Sequence, residues 1–397
     1  MQSWEEKAIL LESCSSLQCL DLSNNRLMGD RFKNICNGIS SSWEFIKEIN
    51  LKNCYLTEKQ GKWLGDTLKK CTSLESLNLS YNRLGEEAFE TICDGLKSSS
   101  SKLSEMKLIS CFLSKRDANS LSKILKQCTS LETIDFSENE ELGNEFEKIF
   151  ENCSKKLKSL KLSNCKLNQI DAHSLQELIE VCPFLEVIDL SNNKEMGDGF
   201  RSICQQWSNG NSLKEINLSH CNLSKTQAEL FGKALEKCEK IKTLDLSGNK
   251  NIKEAFYEIF RSLKCKKLKD INISVCGIAI DTAFYFREAL EHHSSIENIN
   301  VSSNQDVDLI FQALISSSKV LKKINIAHCN LTKMEALVFY SLIKSCTALR
   351  EVNLTDKKSF GLDKLTNKSF GSNQRQLMRN INLHMAIGIQ TAKEVIH

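Results

Sequence analysis

No stretch of this 397-residue chain approaches 18 uninterrupted apolar residues, the length that a membrane-crossing helix needs. Its first residues, MQSWEEKAILLESC, carry acidic side chains where a secretory leader has a basic flank and an apolar run. Both absences give the same expectation: a cytoplasmic protein free of the membrane. An excess of one charge is missing too. The 53 Lys and Arg against 50 Asp and Glu leave a formal net charge of +3, too little to hold a nucleic acid or an anionic surface by its field alone. Catalytic signatures are also absent. Gly61-Lys62-Trp63 and Gly232-Lys233-Ala234 lack both the first glycine and the hydroxyl of a phosphate loop. There is no H-E-x-x-H pair and no G-x-S-x-G turn. The chain is therefore expected not to be an enzyme, and to use neither cofactor nor metal.

What the sequence does hold is a repeat. The pattern L-x-x-L-x-L-x-x-(N/C)-x-L begins at Leu17, Ile46, Leu74, Leu103, Leu131, Leu157, Leu185, Leu213, Ile241, Leu268, Ile296, Leu321 and Leu349, thirteen copies spaced mostly by 28 or 29 residues. Two types alternate at the ninth position. Odd copies carry Asn25, Asn82, Asn139, Asn193, Asn249 and Asn304; even copies carry Cys54, Cys111, Cys165, Cys221, Cys276 and Cys329. The first half of each copy alternates apolar and polar, as in Leu77-Asn78-Leu79, and predicts a short strand. The second half has helical period, as in Phe89, Ile92, Cys93 and Leu96. Such copies bury their apolar faces only by stacking on neighbours. Strands pair at about 4.8 Å and helices at roughly 8 to 10 Å, so the stack bends. The expected fold is an α/β horseshoe solenoid, its parallel sheet concave and its helices convex.

Eighteen cysteines would suit a disulfide framework in a short secreted chain, but this chain is neither short nor leader-bearing, which favours reduced thiols. Glycosylation-type triplets such as Asn78-Leu79-Ser80 and Asn217-Leu218-Ser219 fall inside predicted strands, where sugars would block packing. In five even copies a second cysteine follows the first by 17 residues, as Cys182 follows Cys165. That regularity is the mark of a small hydrophobe at a fixed core position. Cysteines of successive even copies stand two strand spacings apart, about 10 Å, too far for a disulfide or a shared zinc. The odd-copy asparagines are expected to satisfy backbone groups where the chain leaves each strand. Asn193→Leu should then cost about 1 to 3 kcal/mol.

The alternation of Asn-type and Cys-type copies, 28 and 29 residues long, resembles the ribonuclease-inhibitor-like leucine-rich repeats, a subfamily that includes the sensing domains of NOD-like receptors of innate immunity. The resemblance covers roughly residues 1–356. It implies a non-catalytic scaffold whose partner is another protein, without nucleic acid or membrane, monomeric alone. A ribonuclease inhibitor and an activator of a small GTPase are the alternatives. Residues 1–16 are expected to be a partial repeat or cap helix, 17–356 the thirteen strand-bearing repeats, and 357–397 an irregular cap with a degenerate last copy at Met378. In that cap Lys357 replaces the expected Asn and KSFG occurs twice.

Partner-binding side chains are expected on the concave face. The third, fifth, seventh and eighth positions there hold eleven acids and four lysines. The candidates are Tyr81, Ile109, Asp135, Glu138, Val187, Asp189, Glu215, His220, Asp245, Val275 and His328. Serine dominates the seventh position, and Tyr81 is the only aromatic among these positions.

Overall fold

The computed structural model describes Leu11 and residues 14–354, except 39, 152, 208–211, 263–266 and, within 279–293, all but Ala283, Arg287 and Leu290. The C-terminal region 357–397 and most of the N-terminal cap lie outside the described residues. So do His292 and His293.

The described residues fall into two compact units, one up to Gln206 and one from Trp207 onward. The first carries β1 (Cys19–Asp21), β2 (Glu48–Asn50), β3 (Ser76–Asn78), β4 (Glu105–Lys107), β5 (Thr133–Asp135), β6 (Ser159–Lys161) and β7 (Val187–Asp189). The second carries β8 (Glu215–Asn217), β9 (Thr243–Asp245), β10 (Asp270–Asn272), β11 (Asn298–Asn300), β12 (Lys323–Asn325) and β13 (Glu351–Asn353). Within each unit every strand pairs parallel with the next, position four opposite position four. A slip of one residue would turn the apolar fourth position outward, and the unbroken register shows how firmly the pattern fixes the pairing.

Helices follow the strands: α1 (Phe32–Gly38), α2 (Glu58–Leu68), α3 (Glu86–Leu96), α4 (Lys115–Leu125), α5 (Phe146–Phe150), α6 (Gln169–Val181), α7 (Gly199–Trp207), α8 (Lys225–Leu235), α9 (Phe256–Ser262), α10 (Asp308–Ala313) and α11 (Lys333–Ser345). Those of the Cys-type copies begin on reciprocal capping boxes, Thr57 with Gln60, Ser114 with Asp117, Asn168 with Asp171, Ser224 with Gln227 and Thr332 with Glu335. Each box satisfies backbone N–H groups that the first helical turn leaves unpaired. The predicted stripe on α3 is buried at Phe89, Ile92, Cys93 and Leu96. On α6, Leu175, Leu178 and Ile179 are buried likewise. Each unit is thus the strand-and-helix solenoid that the repeat predicts. None of the described helices is long and apolar enough to cross a membrane.

The two glycine fragments that fail as phosphate loops have a packing role. A Cβ on Gly61 would stand 2.7 Å from the Ala88 Cβ of α3, and one on Gly232 would stand 2.8 Å from the Glu258 carbonyl carbon of α9. Glycine there lets neighbouring helices approach at backbone distance.

Candidate functional site

The ninth-position side chains stitch successive copies together. The Asn82 amide donates to the carbonyls of Leu51, Leu79 and Ser80 at 2.8, 2.8 and 3.4 Å, while its oxygen accepts from Cys54 N and Leu56 N at 3.1 and 2.9 Å. Asn139 and Asn193 repeat the same five bonds one and two pairs of copies further on. Cysteine does the corresponding work in the other type. The thiols of Cys54, Cys111 and Cys165 donate to Leu22 O, Leu79 O and Phe136 O, the sixth-position carbonyl of the copy before, at 2.9, 3.3 and 3.2 Å. In the second unit, Cys276 reaches Leu246 O at 3.2 Å and Cys329 reaches Val301 O at 3.3 Å.

Those contacts shape the surface. For the N–H groups of residues nine and eleven to converge on one amide oxygen, the residue between them must turn left-handed. Tyr55, Phe112, Lys166 and Asn222 do so at φ between 51 and 56°, and Gly277 at 65°; Asn330, followed by the copy with Lys357, is left-handed too at 49°. The eighth position is left-handed as well, including Tyr81, Glu138, His220, Val275 and His328, all candidates from sequence. Val275, at φ 56°, is β-branched and is the residue least suited to that conformation. Val275→Asn is expected to raise stability by about 1 kcal/mol, read as a higher melting temperature; an unchanged or lower one would show that the neighbouring structure absorbs the strain.

The fifth position is tied to its own turn. The side-chain oxygens of Asp135, Asp189 and Asp245 accept from the backbone N–H of Ser137, Ser191 and Ser247 at 3.2, 2.9 and 2.9 Å. Asn50, Asn78, Asn217, Asn272 and Asn300 make the same bond. Asp135, a candidate for partner binding on the concave face, is buried at 6 % exposure. The seventh-position serines Ser80, Ser137, Ser191, Ser219, Ser247 and Ser274 are all buried, bonding within the sheet as Ser191 does to Ser163 at 2.8 Å. Part of the acidic excess is locally neutralised. Burial alone would raise the Glu105 carboxyl, but the Lys107 ammonium at 2.6 Å and the Ser76 hydroxyl hold it below the usual range.

Of the other candidates, Tyr81, Glu138, Glu215, His220 and His328 are exposed, while Ile109, Val187, Asp189, Asp245 and Val275 are half-buried. The His220 ring lies over Gly248, where a Cβ would come within 2.2 Å of Nδ1. In the second unit a depression of about 300 Å³ is lined by Thr243, Asp245, Asp270, Asn272, Asn300 and Lys323, among others. It lies on the helix-free face of the sheet and gathers one sequence candidate, Asp245, with the asparagine run.

Exposed aromatics sit elsewhere, at the tenth position of the Cys-type copies: Tyr55 is 57 % and Phe112 67 % exposed, with Leu27 nearby in sequence order at 83 %. They lie beyond the eighth position, outside the candidates that the sequence offers. The signal available was the alternation Arg26, Tyr55, Arg83, Phe112 at the tenth position of copies one to four.

The cysteines form no disulfide among the described residues, and only Cys14 and Cys19 are exposed. Burial pushes the thiols of Cys71, Cys111, Cys128, Cys165 and Cys276 up to about 12. They are neutral near pH 7 and poor nucleophiles. A thiol reagent at pH 8 is expected to label Cys14 and Cys19 on the folded chain, and the buried thiols only on unfolding. Rapid labelling of Cys165 would show that its copy opens locally.

A strand–helix repeat with alternating asparagine and cysteine at its ninth position defines a leucine-rich-repeat protein. Matches to known proteins agree. The family described as Leucine Rich Repeat matches residues 16–38, 156–178 and 212–234, and a second family of the same description matches 70–93. The chain is 24% identical to ribonuclease inhibitor of Sus scrofa over 358 residues, covering 87% of this chain and 78% of that one. It is 26% identical over 270 residues to NACHT, LRR and PYD domains-containing protein 14 of Homo sapiens, covering 67% of this chain but only 25% of that protein. In fold it is similar to a chain of the structure titled "Crystal structure of Rad7 and Elc1 complex in yeast", with a TM-score of 0.58 at 14% identity, covering 94% of this chain and 87% of the other. The chain thus carries leucine-rich repeats and is similar to ribonuclease inhibitor and to the repeats of NACHT, LRR and PYD domains-containing proteins.

Proposed function

We propose that the chain is a non-catalytic scaffold that recognises another protein in the cytoplasm as a monomer, in the manner of the sensing repeat domain of a NOD-like receptor. One observation carries this reading. The ninth-position thiols are absorbed by the scaffold as buried donors to carbonyls, and the fifth-position carboxylates as turn acceptors. What remains outward is a non-repeating set of side chains held in one register, a form suited to reading a partner's surface. Affinity capture with the full chain should return a defined protein. Rebinding of that purified protein to Glu138→Lys and Glu215→Lys variants should be weakened at least tenfold by one of them. Capture of nothing that rebinds in purified form would remove the reading.

The near end-to-end match to ribonuclease inhibitor favours one second reading, inhibition of a ribonuclease. Stoichiometric inhibition of a pancreatic-type ribonuclease at nanomolar chain would establish it. Full ribonuclease activity in the presence of micromolar chain would exclude it.

A further inference from the structure

We infer that the first unit carries a docking stripe for an acidic protein segment along the loops that leave its first four strands. This rests on the recognition reading above and gives it a place and a partner chemistry.

The stripe is built from three cation–ring pairs, each joining neighbouring copies. The Arg26 guanidinium lies 4.8 Å from the centre of the Tyr55 ring, the Lys52 ammonium 5.3 Å from Tyr81, and the Arg83 guanidinium 5.7 Å from Phe112. All six residues are exposed. Their placement follows from the scaffold. Tyr55 and Phe112 are turned out because Asn82 and Asn139 draw in the N–H groups on either side of them, and Tyr81 occupies the left-handed eighth position at φ 62°. The rings are therefore presented by backbone geometry that packing elsewhere has already fixed, which lowers the ordering cost of binding.

Among the described residues, the cations of the stripe are not neutralised by carboxylates, as several others of the unit are. Nearby cations are matched to carboxylates: Lys59 to Asp30 at 2.7 Å, Lys62 to Glu58 at 2.9 Å, Lys69 to Asp66 at 2.7 Å and Arg116 to Glu86 at 3.4 Å. Arg26, Lys52 and Arg83 form no ion pair among the described residues and face only rings. A guanidinium met only by a ring keeps N–H donors for a carboxylate, which it can grip with two bonds. Exposed rings beside unpaired arginines are the composition of interface anchors. Copies one and three, which hold the arginines, are two strand spacings apart, about 10 Å, so an extended segment with acids separated by two to three residues would span them. Three cations on a chain of net charge +3 are too few for a nucleic-acid track, which depends on many phosphate contacts.

The test pans a phage-displayed random peptide library on the full chain and measures the selected peptides by fluorescence anisotropy. Expected are sequences enriched in Asp and Glu whose affinity falls at least tenfold for Arg26→Glu with Arg83→Glu, and likewise for Tyr55→Ala with Phe112→Ala. Melting curves should match the parent, and Arg26→Gln with Arg83→Gln replaces the charge reversal if that variant fails to fold. Absence of selected peptides, selection without acidic enrichment, equal binding to the variants, or tighter binding of oligothymidylate than of acidic peptide would each overturn the stripe. Peptides indifferent to the stripe variants but lost on Glu138→Lys would overturn it while leaving the recognition reading standing.

Discussion

Asn193→Leu is expected to destabilise the first unit by about 3 to 5 kcal/mol, above the range that sequence alone supports. The physical reason is the number of groups one amide serves. Asn193 is fully buried; it donates to Leu162 O, Leu190 O and Ser191 O and accepts from Cys165 N and Leu167 N. Leucine matches its bulk and supplies no polar atom, so five backbone groups lose a partner in a site closed to water. An unsatisfied buried group costs about 1 to 3 kcal/mol, and partial relaxation keeps the sum below the product. Asn25 is the internal control. It is half-buried and its amide reaches only Leu22 O and Ser23 O, so Asn25→Leu should cost about 1 kcal/mol. Urea unfolding ranks the two, and hydrogen exchange at Cys165 and Leu167 locates the damage. Equal midpoints for the two variants would sink the argument.

Gly95→Ala is the second change with a large expected effect, about 2 to 3 kcal/mol of destabilisation. Two terms oppose each other. Alanine in a helix interior is favoured over glycine by about 1 kcal/mol. Against that, a Cβ on Gly95 would stand 2.3 Å from the Gly65 carbonyl oxygen and 2.8 Å from the Leu68 Cβ. The first neighbour is backbone, so no rotamer relieves it; α2 and α3 must move apart and lose packing along their length. Gly65 faces the same constraint from the other side, with a Cβ 2.5 Å from the Thr91 carbonyl carbon. The double variant Gly65→Ala with Gly95→Ala should then cost less than the sum, because one separation of the helices accommodates both. A melting temperature raised by Gly95→Ala would mean that helix propensity outweighs the contact.

How far the sequence could be read depends on whether a signal is local. Alternation and helical period are local, and they placed Leu77, Leu79, Phe89, Ile92, Cys93 and Leu96 in the core, where all six are buried. The asparagine role was legible in kind but not in size, because the partners of Asn193 come from the preceding copy as well as its own. The candidate face was legible only in part. The serines that dominate the seventh position are buried in six copies, a depth that their polarity does not signal. The exposed rings of Tyr55 and Phe112 escaped notice because what turns them outward is an amide 27 residues further along the chain. The capping boxes were a missed local signal: Ser, Thr or Asn followed three residues later by Gln, Asp or Glu opens all five helices of the Cys-type copies described above.

The asparagine–cysteine stitching has a further consequence for how such an array can lengthen. Residues nine and eleven of a Cys-type copy send their N–H groups to the amide of the copy that follows, and a thiol has no oxygen to receive them. Removing one Asn-type copy would set two Cys-type copies side by side and leave two donors without an acceptor. Removing a pair would leave every junction as it was. The array therefore obeys a parity rule: duplication or loss in twos is neutral at each seam, and duplication or loss in ones leaves a defect in the backbone network.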